Sequence, residues 1–230
     1  MLVGSKVDYN ISNLDIPKDG KRNNDFQKSF SATLTIIVRD KDGKVIRKYK
    51  QKSHSPTANF IGMMLPVLYY NEVKQCWTIT TTSNSTLGYS YNCYFTAYPN
   101  SATNLPIYIQ NIIVGSGSQS NPYSAYNLAS PIANGSGTGQ LIYSTPNIPT
   151  NITINGNEAY FIISQSYTNQ SGATITISEV GIILSLEYYN TSVQNYETVN
   201  VLTWYDALSS PISVGNGQSV VIYYTFSVNA

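Results

Sequence analysis

Few side chains in this chain of 230 residues could carry out acid–base or metal chemistry. His54 is the only histidine, which excludes a metal site with several histidine ligands and leaves one candidate general base. A serine–histidine–aspartate arrangement stays open, although no Gly-x-Ser-x-Gly elbow lies between a strand and a helix. Cleavage of a glycosidic bond would need a pair of carboxylates, and only five acidic residues follow Lys74. We therefore predict no enzyme activity, no catalytic residues, no metal and no cofactor.

Two glycine-rich stretches, residues 115–117 and 135–139, have the composition of phosphate-binding loops. Neither contains the lysine of a P-loop, neither begins a predicted helix, and no basic residue follows Lys74 to meet an anion. Asp40 and Asp42 likewise lack the further oxygen ligands of a calcium loop. All three stretches are predicted to be structural turns.

The two cysteines, Cys76 and Cys93, lie at the starts of two predicted strands that follow one another in the sequence. A disulfide between them would stabilise the fold by about 3 kcal/mol in the chain-entropy model. A pair of free buried thiols is the alternative, and both stay open. Disulfides inside cells are rare except in hyperthermophiles, so a bridge would indicate such a source.

Asn-x-Ser/Thr sequons mark candidate sites for N-linked glycans, although several are expected by chance in a chain this rich in Asn, Ser and Thr. They begin at Asn10, Asn84, Asn134, Asn151, Asn169 and Asn190. Charged residues make up 11% of the chain, about half the usual share, and 20 residues are tyrosine. In these features together the chain resembles surface proteins of crenarchaeal viruses and their hosts, which meet hot acid.

The basic residues are confined to the first third of the chain. All 13 Lys and Arg lie between Lys6 and Lys74, alongside seven acids, so this part carries a net charge of +6. The remainder has five acids and no base, a net charge of −5. This asymmetry predicts two environments, an acidic partner for the first part and solvent or sister subunits for the second. A solvated basic hairpin is the alternative.

Residues 1–30 show no sustained periodicity and are predicted to form an extended N-terminal arm. A basic β-hairpin plus a helix is predicted for residues 31–74. In the hairpin, residues 32–39 and 44–51 are the strands, and the Asp42-Gly43 pair supplies the positive φ of a tight turn. The one helix is expected within residues 53–70, where apolar residues recur at helical spacing and Pro66 would kink or end it.

Residues 75–230 are predicted to form one β-sandwich domain, because short β-rich runs alternate there with turn residues. The runs are residues 77–82, 91–97, 107–114, 140–143, 151–154, 160–167, 174–186, 198–204 and 219–228. Asn155-Gly156 and Asn216-Gly217 are predicted turns between strands. The fold class is therefore mainly β: an antiparallel, jelly-roll-like β-sandwich with one short helix. No apolar run reaches the ~20 residues of a membrane span, and residues 1–30 lack the apolar core of a secretory signal.

Four motifs follow one another after residue 107. They are a Val-Gly-x-Gly turn at 114–117, a Leu-Ala-Ser-Pro-Ile segment at 128–132, an Ile-x-Glu-Val-Gly-Ile strand at 177–182 and an alternating strand at 220–226. This order resembles the β-sandwich modules of viral tail, collar and fibre proteins, over about residues 107–228. The resemblance implies that Gly115, Gly117, Glu179 and Gly181 are architectural positions. The chain departs from the phage pattern in a Tyr-rich insertion between Pro131 and Tyr160.

By this resemblance the chain is expected to be a virion structural protein, a tail, adaptor or collar component of an archaeal spindle-shaped virus. It would form a homo-oligomeric ring, join other virion proteins, and reside in the virion after synthesis in the host cytoplasm. The alternative is a glycan- or host-receptor-binding module of a tail fibre or cell-surface protein. Its sugar-stacking residues would be Tyr89, Tyr91, Tyr94 and Tyr98. Against that, tyrosines are also ordinary strand-forming residues.

A cationic stripe is predicted on the second strand of the basic hairpin. Strand alternation sends Lys44, Lys48, Lys50 and Lys52 to one face, and Val45, Arg47 and Tyr49 to the other, if no bulge intervenes. The stripe is a candidate surface for an acidic protein partner, with weak and salt-dependent contact to DNA as a second option. Protection of an edge strand by lysines is the alternative.

Overall fold

A computed structural model describes residues 30–53, 56–61, 79–83, 86–87, 107–190 and 195–229. In these residues the chain is mainly β, with two antiparallel sheets packed together, which confirms the predicted β-sandwich. The strands are β1 (Phe30–Arg39), β2 (Val45–Ser53), β3 (Ile79–Thr80), β4 (Thr86–Leu87), β5 (Ile107–Gly115), β6 (Ile142–Tyr143), β7 (Thr153–Asn155), β8 (Glu158–Thr168), β9 (Ile175–Asn190), β10 (Asn195–Val214) and β11 (Ser219–Asn229).

The large sheet has the strand order β2-β1-β11-β8-β6, with β7 also paired to β8, and the small sheet has the order β10-β9-β5. A separate two-stranded pair joins β3 to β4. Because β1 pairs along its whole length with β11, the basic hairpin is part of the large sheet. The predicted boundary near residue 74 therefore does not separate the hairpin from the sandwich.

The predicted turns are confirmed where they fall within the described residues. Asp40 Oδ1 accepts hydrogen bonds from the backbone N–H groups of Asp42 and Lys44, at 3.0 and 2.9 Å, and Gly43 has a φ of +82°. Gly156 and Gly217 have φ values of +58° and +80° at the β7–β8 and β10–β11 turns. These conformations are strained for residues with a Cβ, so the Asp-Gly and Asn-Gly signals located the turns correctly.

Helical structure is observed at residues 58–61 and in a short 3-10 helix, Pro122–Ser124. The helical residues fall inside the stretch predicted to be helical. Residues 54–55 and 62–70, the rest of that stretch, lie outside the described part of the chain, as does the predicted arm up to residue 29.

The main core lies between the two sheets and follows strand alternation. In β1 the inward residues Ala32, Leu34, Ile36 and Val38 are at most 3% exposed, while the residues between them are only partly buried. Trp204, on β10, packs edge-on against an aromatic ring of the large sheet, with 5.1 Å between its ring centroid and that of Phe226. Truncation of a buried leucine such as Leu34 to alanine typically costs about 2–5 kcal/mol.

Side chains bridge β5 of the small sheet and β8 of the large sheet, along one side of the sandwich that we call the seam. The Ile112 N–H donates to Gln165 Oε1 at 2.7 Å, and the Tyr167 hydroxyl donates to the Ile112 carbonyl at 2.6 Å. Val114 is covered in the same way, since its N–H donates to the Tyr143 hydroxyl and its carbonyl accepts from the Ile132 N–H. These backbone groups of β5 are thereby satisfied without another strand.

Side chains of β2 close the opposite seam. The Tyr49 hydroxyl lies 2.8 Å from Ser209 Oγ, and Gln51 Nε2 donates to the Ala207 carbonyl at 3.1 Å. Ser209 and Ala207 lie at a register shift of β10, which falls between Ala207 and Ile212 and includes Pro211. A bulge tolerates a proline that lacks a backbone N–H, which explains how β10 extends well beyond the predicted residues 198–204.

Candidate functional site

Glu179 on β9 brings together the motifs that carry the resemblance to viral tail modules. Its side chain is fully buried. Oε1 accepts hydrogen bonds from the backbone N–H groups of Gly117 and Ser130, at 3.1 and 2.8 Å, and Oε2 accepts from Ala129 at 3.0 Å. We call Glu179, Gly117, Ala129 and Ser130 the carboxylate clamp. Hydrogen bonds from N–H groups to a charged acceptor are roughly twice as strong as neutral ones, so the clamp fixes the loop to β9.

Close approach explains the glycines around the clamp. A Cβ on Gly115 would lie 2.4 Å from Glu179 Oε1 and 2.7 Å from the Ser130 carbonyl oxygen. A Cβ on Gly117 would lie 2.8 Å from the Ala129 Cβ, and one on Gly181 would lie 2.6 Å from Leu202 Cδ1. Gly115 and Gly117 therefore exclude larger residues, because backbone atoms of Ser130 lie within 3.0 Å of the added carbon, whereas at Gly181 the close atom is the end of the Leu202 side chain. The clamp acts as a structural joint, since Glu179 is buried and its oxygens are occupied by backbone donors.

A second apolar cluster lies on the outer side of the small sheet, beneath the loop that the clamp fixes. Leu128 from the loop packs there with Ile183, Leu202 and Tyr205. The Tyr205 hydroxyl accepts a hydrogen bond from the Gln119 N–H at 2.7 Å. Burial raises the pKa of Tyr205, and the charge of Glu179 raises this pKa further. The part of the small sheet around Gly181 and Leu202 is thus covered on both faces.

A buried polar cluster joins the two sheets near Trp204. Ser53 donates from Oγ to Asp206 Oδ2 and accepts from the indole N–H of Trp204. The Tyr224 hydroxyl donates to the same carboxylate oxygen at 2.9 Å. Burial, with the charge of Asp206, raises the pKa of Tyr224 well above its ordinary value. Ser53 is 5% exposed and Asp206 is 2% exposed, so this pair is shielded from solvent. His54 lies outside the described residues.

Comparison with known proteins assigns no family. No protein-family model, curated protein or solved structure matches the chain. Across the described ranges, no group of three or more His, Cys, Asp or Glu side chains is placed to hold a metal ion. In the same ranges no helix is long and apolar enough to cross a membrane.

A groove of about 490 Å³ runs beside the middle of β5. One wall carries Gln110 and Asn111, and the other carries Asn134 and Tyr143. Register shifts between Ile109 and Asn111, so Gln110 has no partner in β9. A bulge of this kind redirects side chains, which explains how two consecutive residues line the same groove. Burial raises the pKa of Tyr143 to about 12, although a hydrogen bond with the Val114 backbone lowers it.

The predicted cationic stripe is only partly correct. Lys48, Lys50 and Lys52 lie opposite Ile37, Thr35 and Thr33, on the outer face of the large sheet, and they form what we call the lysine column. A register shift opposite Val38 and Arg39 leaves Ile46 unpaired, which interrupts the alternation between Val45 and Arg47. Lys44 precedes the strand and does not continue the column. Arg47 lies on the other face and donates to Ser210 Oγ at 3.3 Å.

An apolar row lies at one end of the large sheet. Register places Phe30 opposite Val228, Val228 opposite Ala159, and Ala159 opposite Ile154. These residues continue the inward alternation of β1, β11 and β8, yet Phe30 is 42%, Val228 48% and Ile154 76% exposed. Within the described residues, the inward face of the large sheet thus extends beyond the residues that pack against it.

The sequons differ in accessibility. Asn134 and Asn151 are exposed. Asn169 is fully buried, and its Nδ2 donates to the carbonyls of Ala173 and Val214 at 2.8 and 2.7 Å. The prediction of a glycan on Asn169 is therefore wrong for the folded chain, because the nitrogen that would carry the sugar is enclosed.

Several predicted positions lie where the structure gives no side-chain description. The side chain of Asn190 is outside the described part, as are Asn10 and Asn84. The same holds for both candidate disulfide residues, Cys76 and Cys93, and for the tyrosines predicted to stack on sugars, Tyr89, Tyr91, Tyr94 and Tyr98.

Proposed function

We propose that the chain is a structural subunit of a virus particle, a tail or adaptor component that forms a ring and joins other virion parts. The observation that carries this proposal is the apolar row of Phe30, Val228 and Ile154, which is exposed at one end of the large sheet. Ile152, two residues before Ile154, is 66% exposed and enlarges this surface. Exposed contiguous apolar residues are typical of protein–protein contacts.

The charge distribution supports a second copy of the chain as the occupant. The lysine column lies on β2, at one lateral edge of the large sheet, while Glu158 begins β8 beside β7, at the opposite side. Glu179 and Asp206 are buried, so among the described acids that follow Lys74 it is Glu158 that the lysine column of another copy could meet. A contact between unlike surfaces is head-to-tail, and repeated head-to-tail contacts close into rings when the rotation permits.

The test is the mass of the full chain in solution, measured by light scattering after size-exclusion chromatography. We expect a multimer that the double variant Ile154→Ser, Val228→Ser converts to monomer. Ile162→Ser is the matched control, because Ile162 is 39% exposed and lies on the outer face of the same sheet. A wild-type chain that stays monomeric at high concentration would refute assembly. A double variant that keeps the multimer would refute the apolar row as its contact.

A further inference from the structure

The groove beside β5 has a chemistry that differs from the surfaces assigned to assembly. Three carboxamides face it, those of Gln110, Asn111 and Asn134, together with the hydroxyl-bearing residues Ser144 and Thr145. Its apolar surface comes from residues such as Ile113, Pro131 and Pro146. The described residues that line the groove include no Lys, Arg, Asp or Glu, so this part of its surface suits an uncharged ligand. Its volume of about 490 Å³ falls in the range of small-ligand sites, about 300–1,000 Å³.

The two asparagines are held in defined orientations. Asn111 Oδ1 accepts a hydrogen bond from Gln165 Nε2 at 3.1 Å, and Asn134 Oδ1 accepts from the Tyr143 N–H at 3.0 Å. Because each oxygen is engaged by the protein, the Nδ2 group of each residue is the donor that remains for a ligand. Gln165 also donates to the Ser144 carbonyl at 2.7 Å, so this buried side chain links the two walls. The donors are therefore positioned before a ligand arrives, which lowers the entropic cost of binding.

An extended peptide fits the groove less well than a sugar. A peptide that adds to a sheet edge needs free backbone groups in regular register. The bulge at Gln110 interrupts that register, and at Ile112 both backbone groups are already bonded to Gln165 and Tyr167. The groove thus offers side-chain amides and apolar surface, the combination that matches the hydroxyl groups and the C–H face of a saccharide.

We propose that this groove binds a neutral saccharide, with the Nδ2 groups of Asn111 and Asn134 donating to sugar hydroxyl oxygens. The aliphatic and proline side chains contact the apolar face of the ring. None of the described residues that line it belongs to the apolar row or the lysine column, so its binding can be tested apart from ring formation.

The experiment is saturation-transfer NMR on the full chain, produced in a host without N-glycosylation so that Asn134 is unmodified. The probes are the methyl glycosides of glucose, galactose and mannose, and N-acetylglucosamine, each at millimolar concentration. We expect transfer to the ring protons of at least one probe. Asn134→Asp and Asn111→Asp keep the oxygen that the protein uses but replace the donor, so each should weaken binding by about tenfold. Asn229→Ala, at an exposed position near the C-terminus, should leave binding unchanged.

Each outcome is decisive when the variants melt at the wild-type temperature. The absence of transfer from all four sugars overturns the proposal. Binding that survives both Asp substitutions also overturns it, because the donors would then play no part. An uncharged tetrapeptide that binds in an Asn111- and Asn134-dependent manner, where the sugars do not, would assign the groove to peptide.

Discussion

The carboxylate of Glu179 accepts a 2.8 Å hydrogen bond from the backbone N–H of Ser130, 49 residues earlier in the chain. With the bonds from Gly117 and Ala129, it attaches the loop after β5 to the N-terminal part of β9. Three of the sequence motifs, at 114–117, 128–132 and 177–182, therefore form one joint. Its glycine-only positions follow from the short distance between the loop backbone and this side chain.

Glu179→Gln should destabilise the fold, because one of the two acceptor oxygens becomes an NH₂ group facing backbone donors. The expected loss is about 1–3 kcal/mol in the free energy of unfolding, the cost of leaving a buried polar group unsatisfied. Chemical denaturation measures it. Glu158→Gln is the control, since Glu158 is only partly buried. Equal stability of the two variants would contradict the clamp.

Gln165→Leu should open the seam between β5 and β8. The Ile112 N–H would lose its acceptor, and Asn111 and Ser144 would lose the amide that links them. We expect faster amide hydrogen exchange at Ile112 and a lower free energy of unfolding by about 1–3 kcal/mol. Exchange at Ile222, in the core of the large sheet, is the internal reference. Unchanged protection at Ile112 would count against this account of the seam.

Stability should fall at alkaline pH because of the buried tyrosines. The pKa of Tyr143 rises from 10.0 to about 12 in the folded chain, and burial raises the pKa of Tyr167 well above the ordinary value. Above pH 10 the unfolded chain therefore loses protons that the folded chain keeps, which favours unfolding. The contribution of the protonated buried tyrosines to stability is fully present below pH 10 and is lost progressively as the pH rises through 12.

Thermal melts between pH 8 and pH 12 measure this dependence. Tyr143→Phe should reduce the loss of stability between pH 10 and pH 12, whereas Tyr123→Phe, at a 62% exposed position, should not. The same slope in all three proteins would contradict the assignment to Tyr143.

Removal of the lysine column should weaken contacts with acidic partners. The triple variant Lys48→Ser, Lys50→Ser, Lys52→Ser removes three charges from an outer face where their cross-strand neighbours are uncharged. We expect weaker self-association at low salt, with little change in melting temperature because the side chains are exposed. Binding of wild-type chain to duplex DNA should be weak and steeply salt-dependent. If self-association changed neither with the substitutions nor with the salt concentration, the lysine column would be only a solvated strand edge.

Local signals predicted most of the fold. Period-two alternation located β1, β8 and β11, and the Asp-Gly and Asn-Gly pairs located three turns, because backbone geometry at those positions depends on adjacent residues. The end of β10 was less predictable. Residues 207–211 lie beyond the predicted strand, and in the fold they continue it through a bulge that β2 side chains contact by hydrogen bonds.

The sequence by itself determined that this chain is a β-sandwich with few groups suited to catalysis, since composition, alternation and turn residues are local properties. The tertiary structure decided which polar groups meet. In the sequence, Gln165 is one more inward-facing residue of β8, and only the placement of β5 shows that it bonds to the Ile112 N–H. Asn169 likewise reads as an accessible sequon, but its side-chain nitrogen is bonded to the carbonyls of Ala173 and Val214. A one-residue bulge likewise separates Lys44 from the lysine column. Each outcome depends on contacts between distant segments, and no local pattern encodes those contacts.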